Sequence, residues 1–272
     1  MQKWLLPSLS EVLANSEQVG LNDTAAPQIE EMTITENGQR GASSRREKER
    51  AKAEREWKSA IASLEELLWQ FLAVSNSDIE DSAHSSLQGL VLAGPAPVLS
   101  HPNLLASFQT GIFTSETFNP LALMPFQLPP AKNCQRQHIT NTVYQLPLLP
   151  GDPLTAEQFC LVFTNSFSLV MVCGEDLNGV PAFRFSFAPE DMQQAWIALR
   201  PRMLLTNPHQ FSQLETLLTQ FAPPAPDYRI VMQFGRQLLK NLPEQPQADN
   251  IQKIPVLLYK PKLSVSTTSA SL

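Results

Sequence analysis

Apolar and polar positions fall into blocks whose period changes along the chain. Trp57, Ile61, Leu64, Leu68 and Phe71 follow one another at steps of 4, 3, 4 and 3, which sets five large side chains on one seam of a helix. This seam continues a stretch from Arg45 to Lys58 that is rich in Ala, Glu, Lys and Arg and has no Pro or Gly. The pattern predicts one long helix over 45–73. A shorter stripe of Leu9, Val12 and Leu13, with Ser8 or Ser10 as cap, predicts an amphipathic helix within 4–14. Residues 15–44 between them are polar and mostly aperiodic. They read as a disordered linker, since they offer too little apolar surface to offset chain entropy.

After a polar loop at 76–86 the signals become those of strands broken by Pro-rich turns. Residues 87–93 and 121–127 read as short strands, 103–108 as one or two helical turns, and 128–142 as a surface loop. The apolar runs Phe159-Cys160-Leu161-Val162-Phe163 and Phe167-Ser168-Leu169-Val170-Met171-Val172-Cys173 flank a short polar turn and predict a hairpin. Residues 182–187 alternate at period two, so Phe183, Phe185 and Phe187 share one face and Arg184 points away, extending the hairpin to a meander. Three helices follow. The first opens at Pro189 with the stripe Met192, Trp196, Leu199 and Met203; the second opens near Asn207-Pro208 with Phe211, Leu214, Leu218 and Phe221; the third runs from about Asp227 with Val231, Phe234 and Leu238. A last strand is expected at 254–259, before a Ser/Thr-rich tail.

The expected fold is α+β: a mixed or antiparallel sheet of about five strands, with C-terminal helices packed on it, behind a long helix and a disordered leader. By domain, this gives an N-terminal amphipathic motif at 1–14, a linker at 15–44, a coiled-coil-like helix at 45–75, a folded body at 87–245, and a strand with a disordered tail at 246–272. Residues 1–75 are then expected to be separable from a body that folds without them.

Charge and composition narrow the function. The net charge of −6 over 272 residues argues against a nucleic-acid-binding protein. The richest apolar run, 169–173, is far too short to span a bilayer, so no membrane span is expected. Three cysteines, Cys134, Cys160 and Cys173, form no Cys-x-x-Cys pair and suit a reducing cytoplasm. Cys134 and His138 are spaced as half a metal site in a polar, loop-like segment, and no metal or cofactor is expected. Glu175-Asp176 belongs to a turn and Glu190-Asp191 to a helix start, where carboxylates need no chemistry. The basic run at 45–58 reads as a solvated helix face. No local signature of hydrolases, metalloproteases, P-loop or dinucleotide enzymes occurs.

Two sets of side chains remain as candidate sites. Phe163, Phe167, Arg184, Phe185 and Trp196 are the candidate lining of an apolar ligand pocket on the aromatic sheet face. Trp57, Ile61, Leu64, Leu68 and Phe71 are the candidate partner or dimer face, because an apolar stripe on a tethered helix must bury against something.

The order Asp152-Pro153-Leu154, apolar strand 159–163, polar turn, Phe167, second apolar strand, Asp176-Leu177, Phe183-Arg184-Phe185 and a helix ending Ala198-Leu199-Arg200-Pro201-Arg202-Met203 resembles the DICT family of sensory domains, which is associated with diguanylate cyclases and two-component proteins. Lys3-Trp4-Leu5-Leu6-Pro7-Ser8-Leu9-Ser10-Glu11 and Leu121-Ala122-Leu123-Met124-Pro125-Phe126 are similar to N-terminal parts of cyanobacterial sensor histidine kinases. The resemblance implies a cytoplasmic, non-catalytic signal-input module. Its partner would be a second copy or a histidine kinase, its ligand an unidentified small molecule. His84, His101, His138 and His209 lack the acidic neighbour of a phospho-accepting His, and no Gly-x-Gly is present. The chain therefore looks like the input half of such a kinase, standing alone or truncated. The competing readings are an adaptor that dimerises without a ligand and an enzyme of unrecognised class.

Overall fold

The computed structural model describes residues 6–22, 38–77, 87–115, 143–176, 178–222 and 224–243. Strict alternation in the strands decides the architecture. Leu90 and Leu92 lie on one side of the sheet and Val91 and Ala93 on the other; Phe159, Leu161 and Phe163 oppose Cys160 and Val162; Val170 and Val172 oppose Leu169 and Met171. All of these side chains are buried, so both faces of the sheet must be covered.

The elements run α1 (Leu9–Asn22), α2 (Gly38–Ser77), β1 (Gly89–Gly94), α3 (Pro102–Ser107), β2 (Phe108–Thr114), β3 (Tyr144–Pro147), a 3-10 turn (Pro153–Ala156), β4 (Gln158–Thr164), β5 (Ser168–Glu175), β6 (Pro181–Ser186), α4 (Pro189–Thr206), α5 (Pro208–Gln220) and α6 (Tyr228–Asn241). The protein is α+β, with one six-stranded mixed sheet in the order β3-β2-β1-β4-β5-β6. β1, β2 and β3 pair in parallel, while β4 is antiparallel to both β1 and β5, and β6 is antiparallel to β5. The expected meander is present. Its first turn is held by Thr164, whose hydroxyl accepts the N–H groups of Ser166 and Phe167 at 3.2 and 3.0 Å. The helix starts also follow the expected chemistry. Asn207 caps α5 by accepting the Gln210 N–H at 3.3 Å, and Asp227 caps α6 by accepting the Arg229 N–H at 2.8 Å.

Helices α1, α4 and α5 cover one face; α2, α3 and α6 cover the other. Several expectations change here. The C-terminal helices supply only half of the cover, and the N-terminal segment supplies a helix to each face. Residues 15–22 extend α1 and residues 38–44 open α2, so the expected linker is helical at both ends. β2 and β3 were not anticipated: Gln109, Thr110 and Gly111 interrupt the apolar pattern of β2, and β3 is only four residues long. The expected strands at 121–127 and 254–259, the loop at 128–142, the Cys134/His138 pair and the C-terminal tail lie outside the described residues.

Candidate functional site

The first turn of α1 is fixed three times over. Ser8 and Glu11 form a reciprocal capping box: the Ser8 hydroxyl accepts the Glu11 N–H at 3.2 Å, and the Glu11 carboxylate accepts the Ser8 N–H at 3.1 Å. Glu157, at the entry to β4, accepts the N–H groups of Leu9 and Ser10 at 2.9 and 3.2 Å, placing a carboxylate at the positive end of the α1 dipole. Just before the helix, the Pro7 carbonyl accepts a hydrogen bond of 3.0 Å from Arg202 of α4. Arg202 also donates to Asp152 at 2.8 Å and to the Ala198 carbonyl at 2.6 Å, and the side chains of the ion pair are only 2% and 1% exposed. Asp152 uses its other oxygen to accept the Leu154 N–H at 3.0 Å and so caps the 3-10 turn. Each buried charge thus has several partners, the condition under which such a pair is tolerated.

Where α1 begins, α2 and the ends of β5 and β6 leave an open cleft of about 460 Å³. Glu11, Glu54, Glu157, Glu175 and Asp176 line it, together with Ser8, Gln158, Cys173 and one base, Arg50. Arg46 of α2 closes over the rim by pairing with Glu175. A Cβ at Gly174 would stand 2.3 Å from Ser10 Oγ and 2.8 Å from Glu157 Oε1, so glycine lets the side chains that seat α1 lie directly on β5. A side chain here would force Ser10 and Glu157 to shift.

Burial pushes the Glu157 carboxyl above its usual range, and it outweighs the hydrogen bonds from Ser10, Ser8 and the α1 backbone that act the other way. Cys173 is pushed up to about 11, first by burial and then by Glu54, Glu56 and Glu157. It is therefore a thiol at neutral pH and a poor nucleophile. Burial likewise raises Cys160 in the core. Among the described residues, no group of three or more His, Cys, Asp or Glu side chains is placed to hold a metal ion.

The structure does not assemble the expected aromatic pocket. Phe163 and half-buried Trp196 lie on the α4 side of the sheet, whereas Phe167 is buried on the α2 side between Phe71 and Phe187. Phe185 packs against Phe183, Phe187 and Phe234, and Arg184 turns to the opposite face to pair with Glu17 of α1 at 3.2 Å. The alternation predicted for β6 holds and separates Arg184 from Phe185, while the turn after β4 separates Phe163 from Phe167; of the five, Phe163 and Trp196 stay together, beside α5.

The expected partner face is also reassigned. Trp57, Leu64 and Leu68 are buried against the sheet, with Ile61 and Phe71 packed half-buried beside them. Ring contacts of Trp57 with Phe183 and of Phe71 with Phe167 complete the packing. The seam that looked free is half of the core.

The anchoring residues escaped the sequence reading as a site. Asp152 and Arg202 both sit in the motifs quoted for the resemblance, yet nothing in their order marks them as partners 50 residues apart. Glu157 carries no local signal at all.

Fold and cleft together define an α+β module with helices on both faces of one sheet and a polar cleft at the seat of its first helix. The chain belongs to the family described as a domain of unknown function (DUF8628), which matches residues 39–246. It is 33% identical over 199 residues to the sensor histidine kinase Hik34 of Synechocystis sp. (strain ATCC 27184 / PCC 6803 / Kazusa), covering 71% of this chain and 39% of that kinase. The chain thus spans about two fifths of the length of this relative. No solved structure matches. No described helix is long and apolar enough to cross a membrane.

Proposed function

We propose that the chain is a non-catalytic signal-input module of the kind that governs a sensor histidine kinase, related to the DICT-type sensory domains its motifs resemble. The similarity to part of such a kinase carries this reading. The cleft supplies a means. Its walls come from three stretches far apart in sequence, so an occupant that fits one seating of α1 and α2 better than another shifts the population between them. A ligand suited to the site is small, polar and rich in hydrogen-bond donors, because carboxylates outnumber the single arginine of the lining. The partner is a histidine kinase, with the cytoplasm as the expected compartment.

A chimera tests the reading. This chain replaces the matched stretch of the Synechocystis kinase, and autophosphorylation is compared with that of the kinase lacking the stretch. The module should restore control lost on deletion, and Gly174→Leu, which displaces the Ser10 and Glu157 side chains that seat α1, should alter that control. Identical activity with and without the module overturns the proposal.

A further inference from the structure

The surface of α6 divides into three arcs. Phe234 and Gln237 are buried against the α2 side of the core, with Ile230, Val231 and Leu238 half-buried beside them. On the outward side Tyr228, Met232, Gly235 and Leu239 follow at steps of 4, 3 and 4, and Tyr228, Met232 and Leu239 are 70%, 55% and 73% exposed. At 100° per residue these four share one narrow stripe. Arg229, Arg236 and Lys240 form a row on the flank away from the core, and α6 contains no acidic residue.

Gly235 is the informative position. Glycine is the poorest helix former after proline, and a mid-helix glycine normally answers to a close neighbour or an unusual backbone. Here neither applies. A Cβ at Gly235 meets nothing within 4 Å, and its φ is not positive. The missing side chain leaves a notch between Met232 and Leu239 that the described fold does not use.

We propose that this seam docks an acidic amphipathic helix of a partner protein, with an apolar side chain in the notch at Gly235 and carboxylates on Arg229, Arg236 and Lys240. Charge selects this occupant. Two copies of α6 laid antiparallel, seam to seam, would bring their basic rows onto one flank, whereas an acidic helix neutralises the row. The row is available for exchange. Arg229 folds back on its exposed neighbour Tyr228, 5.8 Å from the ring and donating to its hydroxyl at 3.3 Å, and Lys240 makes an exposed pair with Glu66 at 3.5 Å. The inference rests on reading the chain as a module that reports to another protein, and adds the chemistry of that contact.

The test is a fluorescence anisotropy titration of the full-length chain against a synthetic helical peptide of about three heptads, leucine on its seam and glutamate on its flanks. Binding should weaken by about tenfold or more in Met232→Glu and in Leu239→Glu. Gly235→Leu fills open space and should not lower the melting temperature, while it weakens binding by a similar factor. Reversing Arg229, Arg236 and Lys240 to Glu should transfer preference to a lysine-flanked peptide. Equal binding of the lysine-flanked or a scrambled peptide to the unaltered chain overturns the proposal. So does a dimer in ultracentrifugation that Leu239→Glu abolishes, or binding to phosphatidylserine vesicles in place of the peptide. Tighter peptide binding by a chain ending at residue 243 would assign the seam to residues 244–272, and equally overturns it. A chimera that regulates its kinase while the peptide fails to bind keeps the input reading and removes this one.

Discussion

The two faces of the sheet are held by different forces. On the α2 side the buried contacts are rings and aliphatic side chains, with neutral polar groups at one end, where Asn241 donates to Ser63 at 3.0 Å and accepts from Ser59 at 3.1 Å, and the charged contacts of α2, such as Lys240 with Glu66, lie at the exposed surface. On the α1 side an equally apolar core is overlaid by buried charge, with Arg202–Asp152 and Glu157 gripping the start of a short helix. Apolar contacts respond little to pH, whereas a buried carboxyl titrates with the docking it supports. The α1 face is therefore where a change in conditions can be felt, and the α2 face is the frame against which it is read.

The most severe way to break this comparison is to remove residues 1–77. Both faces then lose a helix, and near-ultraviolet circular dichroism should show no native packing and no cooperative melt. A native-like remainder would mean that α2 is an appendage after all. Next in size, Arg202→Ala should cost about 3–5 kcal/mol in urea unfolding by stranding Asp152, and Arg202→Met combined with Asp152→Leu should recover most of it. On the other face, Leu64→Ala should cost about 3 kcal/mol, with no dependence on pH.

A smaller effect sharpens the contrast through pH. Because the Glu157 carboxyl titrates higher in the folded protein than its ordinary 4.5, the folded state holds the proton longer than the unfolded one. Stability contributed by this group is full below that value and declines as pH rises through the raised one. Urea midpoints between acid and neutral pH should show the decline, and Glu157→Gln should flatten it. If Gln leaves the slope unchanged, the titrating group lies elsewhere. The least effect is a gain: Gly235→Ala should stabilise the chain by about 0.5–1 kcal/mol, since it adds helix propensity where space is free.

What the sequence made legible follows from how local each signal is. The meander and the three helices after it were readable because alternation, prolines and caps such as Asn207 and Asp227 act within a few residues. The seam of α2 was readable as a seam, but its partner was not, because a helix stripe looks the same whether a second protein or Phe183 lies beneath it. The cleft was illegible. Its walls meet only in space, and Glu157 contacts Leu9 across 148 positions. The aromatic pocket failed for a related reason: Phe163 and Phe167 flank one turn but fall on opposite sides of the sheet.

That separation of 148 positions also bears on how the molecule is made. Contacts closing so large a loop form late, after nearby strands and helices have condensed. α1 leaves the ribosome ahead of the strand edge bearing Glu157 and cannot be seated until that edge has been synthesised. Until then Leu9 and Leu13 have no core to enter, so a nascent chain must carry α1 unburied while the 148 positions up to Glu157 are made.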